Sequence, residues 1–525
     1  MRDFQKPGRS AVYATNGMCA TSHPLAAKVA LDTLQAGGNA VDAAIAGAVL
    51  LGICEPQMTG IGGDCFVLLK PAGEDRVIAL NGSGRSPAGL SADALRAKND
   101  GKMPLYGVDA VTVPGAIDAF CRLSDDWGKL GLDRILQPAI HYAEAGVPVA
   151  PRVSVDLIES APVLTGAARK FYLHDDKAPA LGSLFRAPGQ AKVLRQIAAK
   201  GRDGFYAGPV ADDMVASLRA AGGTHTQEDF AATACTYTDP VSGDYGPFEL
   251  VEHPPNGQGA TAILMLNILK HFELADGNPF GIRRTHLEAE AAKLAYDTRN
   301  RVIADPDHTS RLDHMLSPDT AARLAALISE DRALPLDLPG AENVHKETVY
   351  ITVVDRDRMA VSLIYSIYHG FGSGLASDRY GILFQNRGAG FTLSQGHPNE
   401  AAGGKRPMHT IIPGMLKESG RVVMPFGVMG GAFQPAGHAR VVTNLADFGL
   451  DLQTTIDAPR SFFRDGQLVV ENGYDPAVIA GLRDLGHDAV VSDGALGGGQ
   501  AIRIEADGVL VGASDPRKDG IALGY

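Results

Sequence analysis

A threonine at position 348 heads the run Thr348-Val-Tyr-Ile-Thr-Val-Val-Asp355, and a short charged turn, Arg-Asp-Arg, separates that run from residues 359–367. Apolar and polar residues alternate on both sides of the turn, the pattern of an antiparallel hairpin with one buried face. If the Glu347–Thr348 bond is cut, Thr348 gains a free α-amino group of ordinary pKa about 7.7–8.0. Such an amine can act as general base for the hydroxyl of the same residue, so nucleophile and base come together in one position. The stretch 331–346 just before it is polar and carries prolines and a glycine, the exposed, extended character a cleavage site needs. This chemistry belongs to a self-processing amidase or acyltransferase rather than to a binding protein.

Helical patterns dominate before Thr348 and strand patterns after it. Residues 25–36 and 40–54 read as helices, with Asn39 as N-cap of the second. Residues 65–70 and 75–80 read as paired strands, and 249–252 as a strand entering the turn Pro254-Pro-Asn-Gly-Gln-Gly259. Helices follow at 262–272, 285–302 and 317–328. Beyond the hairpin, strands are expected at 381–384, 410–417, 421–427, 467–471, 489–491, 501–505 and 509–513, with helices at 436–447 and 477–485. The alternation predicts a layered α/β architecture.

The bulk properties bound the function. The chain has 525 residues, 45% hydrophobic and 21% charged, enough for a large core. A net charge of −12, with no basic block, argues against a nucleic-acid surface. The longest early apolar run, 43–54, is too short to span a bilayer, and the first ten residues lack the apolar core of a secretory signal. Together these favour a cytoplasmic protein. The five cysteines form no Cys-x-x-Cys pair and read as buried free thiols. No metal or cofactor motif is visible.

The hairpin resembles the opening of the small subunit in the γ-glutamyltransferase (glutathione hydrolase) family of N-terminal-nucleophile hydrolases. Further stretches resemble that family in the same order: Gly17-Met-Cys-Ala-Thr-Ser-His-Pro24, Gly37-Gly-Asn-Ala-Val-Asp-Ala-Ala44, Gly60-Ile-Gly-Gly-Asp64, Pro114-Gly-Ala-Ile-Asp-Ala-Phe120, Met429-Gly-Gly-Ala432, Asp457-Ala-Pro-Arg460 and Ser514-Asp-Pro-Arg517. The resemblance implies an αββα four-layer sandwich, one domain over 1–525 built from a large chain 1–347 and a small chain 348–525 that stay associated. It implies Thr348 as nucleophile and as the residue that cuts its own precursor after Glu347. Ser366, where the family usually carries Thr, would orient it. The paired glycines Gly430 and Gly431 would offer backbone N–H groups to a tetrahedral oxyanion.

The glutamyl-binding pattern is broken at every anchor. Ser83 stands where the family has the arginine that meets the α-carboxylate, with Arg85 two residues away. Met408 and His409 replace a serine pair, Tyr368 replaces an asparagine, and Gly390 replaces the aspartate that holds the α-amine. The groups left to bind a substrate are Arg85, Tyr368, Arg387 and His409, a set suited to a small anionic amide. In this the chain resembles the family's divergent branch, with its oxamate amidohydrolase-like and acylase-like members. Two rivals stand beside the amidohydrolase: a true γ-glutamyltransferase with Arg85 moved into the carboxylate site, and an inert descendant kept for binding. The acyl donor, transfer against hydrolysis, and assembly beyond the two chains stay open.

Overall fold

The computed structural model describes residues 8–275, 277–335 and 348–525. Two seven-stranded sheets, each antiparallel throughout, lie face to face. The first runs Ile521–Gly524, Met18–Thr21, Val349–Val354, Ala360–Ser366, Asp64–Lys70, Ile78–Gly82 and Thr236–Thr238. The second runs Val12–Ala14, Leu510–Ser514, Gly498–Ile504, Arg421–Met429, Gly414–Glu418, Phe248–Glu252 and Val241–Tyr245. Helices Pro24–Gln35, Ala40–Cys54 and Ala116–Trp127 cover the outer face of the first sheet, and Gly259–Leu269, Ile282–Val302 and Gln434–Ala446 that of the second. This is the αββα sandwich expected from the sequence.

The helix Ala40–Cys54 shows why these layers form. All its residues are buried, and it is apolar all round, as a helix enclosed by protein on every side must be. Asn39 caps it by accepting from the Val41 and Asp42 N–H groups, while Asp42 reaches back to the Asn39 N–H. Asp355, at the far end of the strand that Thr348 precedes, accepts from the Ala40 N–H and ties the hairpin to this helix.

The hairpin differs from its sequence reading in one respect. The strands Val349–Val354 and Ala360–Ser366 are buried on both faces, because the second sheet covers the side expected to meet solvent. Val349, Ile351 and Val353 pack toward the helices, and Tyr350 and Val354 toward the other sheet. The polar residues of the inner face are satisfied inside: Tyr350 and Ser362 share a 2.6 Å hydrogen bond, and Ser362 donates to the Phe426 carbonyl. Residues 381–384 are an irregular segment with a single bridge, Leu383 to Ala376, rather than a strand, held by the Ser373 N–H and hydroxyl on the Phe384 carbonyl. The short strands Val12–Ala14, Met18–Thr21 and Ile521–Gly524 escaped the sequence reading; three or four residues carry too little periodicity to read. All five cysteines are free thiols, four of them buried. Among the described residues no helix is long and apolar enough to cross a membrane.

One buried acid weighs on stability. Glu55, at the end of the helix Ala40–Cys54, accepts from Ser22 Oγ at 2.5 Å. Burial pushes its carboxyl up to about 7, against the pull of Lys518 and Ser22. An acid whose folded pKa lies above its unfolded one keeps its proton in the folded state. Stability is therefore greatest below the unfolded pKa and falls as pH rises to the folded pKa. Glu55→Gln should raise stability by about 3 kcal/mol at pH 8 and by under about 1 kcal/mol at pH 5. Urea denaturation of both proteins at the two pH values measures it; equal gains at both would contradict the assignment.

Candidate active site

Register aligns the chemistry in a row. Val349 pairs with Tyr365, which sets Thr348 opposite Ser366, and Ser366 pairs in turn with Asp64 on the next strand. All three side chains are buried. Thr348 Oγ1 lies 3.3 Å from Ser366 Oγ. Ser366 Oγ also accepts from the Tyr368 N–H at 2.9 Å and from Arg387 Nη2 at 3.3 Å, which holds the hydroxyl in one rotamer beside Thr348. Asp64 ends the motif Gly60-Ile-Gly-Gly-Asp64. Its Oδ1 accepts from the Gly84 and Gly115 N–H groups and from Gln385 Nε2, each at 2.9 Å.

Arg387 is the cationic group of this row, which also holds the Asp64 carboxylate. Its guanidinium is fully buried, donates to Thr410 Oγ1 at 3.0 Å as well as to Ser366, and stacks 4.1 Å over the Tyr368 ring. Tyr368 sits at φ +80, a left-handed conformation that turns the chain sharply as it leaves the strand. His409 Nε2 lies 3.2 Å from Asp64 Oδ2, an oblique contact of charge and dipole rather than an aligned hydrogen bond. Burial, helped by Arg387 and opposed by Asp64, pushes the His409 imidazole down to about 3, so the ring is neutral at any working pH. Arg387, Tyr368 and His409 thus join the Thr348 row.

Arg85 does not. Its guanidinium binds the buried carboxylate of Asp305 at 3.2 Å and the Gly404 carbonyl at 3.0 Å, and its side chain is 43% exposed. Asp305 also accepts from the Arg406 N–H, so the arginine completes a structural pair there instead of facing Thr348. Arg85, expected as a substrate anchor, is held by Asp305 rather than by any member of the Thr348 row. Ser83 is equally spent, on Asn81 and Asn256.

Gly390, expected to stand in place of an aspartate, is tightly packed. A Cβ on Gly390 would lie 2.6 Å from the Met408 carbonyl oxygen. Asn399 bridges the two segments, accepting from the Met408 N–H at 3.0 Å and donating to the Gly390 carbonyl at 2.6 Å. A side chain at 390 would need one of the two segments to shift. A cavity of about 350 Å³ opens beside them, bordered by Gly390, Phe391, Asn399 and Met408. Gly390→Asp should therefore lower thermal stability and create no γ-glutamyl-p-nitroanilide activity; a folded, newly active variant would contradict this geometry.

Opposite the row, the strand Arg421–Met429 of the second sheet runs into Gly430 and Gly431, at φ +123 and +56. Tyr350 packs on Gly427, and Met429 shares a cluster with Tyr350, Phe66, Ile364 and Ile411. Two buried amides of the turn after residue 253 brace this region. Gln258 donates to the Thr410 and Gly431 carbonyls, at 2.6 and 3.0 Å, and Asn256 donates to the Pro407 carbonyl at 2.7 Å. Nothing in the sequence marked this bracing, nor Asn399 or Gln385. Glu347 lies outside the described residues, so the bond before Thr348 is placed on one side only.

Comparison with known proteins decides the family. A sequence model of the γ-glutamyltranspeptidase family matches residues 26–525. The chain belongs to the γ-glutamyltranspeptidase family. It is an amidohydrolase or acyltransferase of that kind, an N-terminal-nucleophile hydrolase in fold. Among the relatives, the glutathione hydrolase-like YwrD proenzyme of Bacillus subtilis is 34% identical over 531 residues, covering 98% of this chain and 99% of the relative. The oxamate amidohydrolase proenzyme of Klebsiella pneumoniae is 34% identical over 532 residues, covering 98% and 100%. The crystal structure of cephalosporin acylase from Bacillus halodurans superimposes with a TM-score of 0.93 at 39% identity, covering 100% of this chain and 99% of that one.

Two features elsewhere in this family member have bland explanations. Among the described residues, His286, Glu290 and His487 form a buried cluster of metal-ligating type. Its atoms are already paired: His286 with His487 at 2.7 Å and with the Ser329 carbonyl at 2.7 Å, and Glu290 with Lys293 at 2.6 Å. A cavity of about 770 Å³ lies along residues 171–186, and none of its lining residues belongs to the Thr348 row.

Proposed function

We propose that this chain is a precursor that cuts itself before Thr348 and then hydrolyses an amide whose acyl part carries a carboxylate and no ammonium group. The observation carrying the reading is the buried relay Thr348–Ser366–Arg387, which sets a fixed positive charge two hydrogen bonds from the reacting hydroxyl. In the cycle, the freed α-amine takes the proton from Thr348 Oγ1 as that oxygen attacks the amide carbon. The oxyanion forms against the Gly430 and Gly431 N–H groups, which follow a strand whose Gly427 lies against Tyr350, two residues from Thr348. Collapse expels the amine product, which takes the proton back from the α-ammonium, and an ester on Thr348 remains. Water, deprotonated by the same amine, attacks that ester and releases the acid.

Substrate choice follows from charge. A buried guanidinium repels an α-ammonium and attracts a carboxylate, to which it can bond in two-pronged geometry. The same site has no side chain at residue 390, where a carboxylate would need the backbone to shift. One similar protein is named for an amide of this kind, oxamate, and another is named a cephalosporin acylase. The large and small chains remain one sandwich, since each sheet takes strands from both.

The test is initial rates on oxamate, glutaryl-p-nitroanilide and γ-glutamyl-p-nitroanilide. The reading expects turnover of a donor without ammonium and at most trace activity on the γ-glutamyl anilide. Preference for the γ-glutamyl anilide would reinstate the transferase alternative.

A further inference from the structure

Two sequence motifs, Asp457-Ala-Pro-Arg460 and Ser514-Asp-Pro-Arg517, carry no part of the chemistry described so far. The structure brings both to one place. Arg460 Nη2 meets Asp515 Oδ2 at 2.5 Å, and Arg517 binds Glu471 at 2.5 Å and Asp515 at 3.2 Å. These four side chains form a charge-balanced network, nearly all of it buried.

The network grips one segment by its backbone. Glu471 Oε1 accepts from the Leu496 N–H at 2.8 Å, Arg460 Nη1 donates to the Leu496 carbonyl at 2.7 Å, and Asp515 Oδ2 accepts from the Gly499 N–H at 2.6 Å. Between the gripped points lies Gly497, at φ +69. A Cβ there would stand 2.1 Å from the Met429 carbonyl oxygen, and a Cβ on Gly430 would stand 3.0 Å from Gly497 Cα. Register confirms the approach, since Met429 pairs with Gly498 and Val428 with Gly499.

The Met429 carbonyl and the Gly430 N–H belong to the same planar peptide unit. Whatever presses on the carbonyl therefore sets the direction of the N–H. We propose that Gly497, clamped by Arg460, Glu471, Asp515 and Arg517, is a positioning residue that aims the Gly430 N–H at the oxyanion. This rests on the assignment of Gly430 and Gly431 as oxyanion donors made above. The clamp is charged because a loop holding a donor must resist displacement when negative charge develops, and a buried paired network is costly to open. Glycine is required at 497 because any side chain would drive the carbonyl away and swing the N–H with it.

The experiment follows acetylation of the small chain's N-terminal peptide by p-nitrophenyl acetate, using mass spectrometry and release of nitrophenol. Burst amplitude counts folded sites, whereas the saturating rate constant reports on the donors. For Gly497→Ala the rate constant should fall by about ten- to hundredfold, short of the full loss of a donor, at unchanged amplitude and half-saturation. A fall in amplitude alone, or an unchanged rate constant, would mean that the segment is merely structural and would overturn the inference. Should Gly497→Ala arrive uncut, Glu471→Gln takes its place. It keeps an acceptor for the Leu496 N–H but loses the charge facing Arg517, so the expected fall is about three- to tenfold; full rate overturns the inference. Wild type releasing nitrophenol no faster than the uncut Thr348→Ala would instead defeat the catalytic assignment itself, and is told apart by that equality.

Discussion

Alanine at position 348 should leave the precursor as one uncut chain and abolish amide hydrolysis. Both effects follow from the same loss. Without Oγ1 nothing attacks the preceding carbonyl, and without the cut no α-amine exists to serve as base. Removal of a nucleophile that works as a unit with its base costs on the order of 10⁴-fold or more in kcat. Thr348→Ser should keep the cut and retain measurable turnover, since the hydroxyl and its contact with Ser366 survive. Intact mass and N-terminal sequencing of the three proteins decide the matter. Two fragments from Thr348→Ala, or a wild-type fragment beginning elsewhere, would remove Thr348 from the mechanism.

Arg387→Met should lower kcat/KM on a carboxylate-bearing amide by about 10²–10³-fold, the cost of taking one partner from a buried charged pair. A neutral amide should lose far less. The same variant should move the acid limb of the pH profile. A guanidinium close to Thr348 disfavours the ammonium form of its amine and keeps the base free at lower pH. Without it the amine's pKa rises, and activity should begin about one pH unit higher. Arg387→Lys keeps the charge but not the two hydrogen bonds, to Ser366 and to Thr410, so it should restore the pH profile better than the affinity. Equal losses on charged and neutral amides, with no shift in pH, would reduce Arg387 to a structural residue.

Much of this arrangement was legible in the sequence. A period-two pattern on both sides of Arg-Asp-Arg placed the hairpin, and the hairpin's register alone sets Thr348 beside Ser366. The capping box at Asn39 announced the helix under it. What escaped was whatever depends on residues far apart in the chain. Arg85 looked like a displaced anchor because only two positions separate it from Ser83, yet Asp305, 220 residues later, takes its guanidinium. Gly390 looked like a vacancy, whereas it is a close contact with the Met408 backbone. The second sheet turned an expected solvent face into interior, which polar residues at 350, 352 and 362 could not reveal. Hydrogen bonds between side chains of an interior leave no period to read.

The strand Val349–Val354 lies between Met18–Thr21 on one side and Ala360–Ser366 on the other, and Ala360–Ser366 borders Asp64–Lys70. A break before Thr348 would thus leave two polypeptides plaited through a common sheet, neither holding a complete one. Folding of the unbroken precursor is a first-order search, with both halves tethered at high local concentration. Reassembly after the break would be second-order, between two incomplete partners with exposed sheet edges prone to pairing wrongly. Maturation would then act as a ratchet: the chain folds once, as a precursor, and its later persistence depends on the barrier to unfolding rather than on equilibrium with the unfolded state.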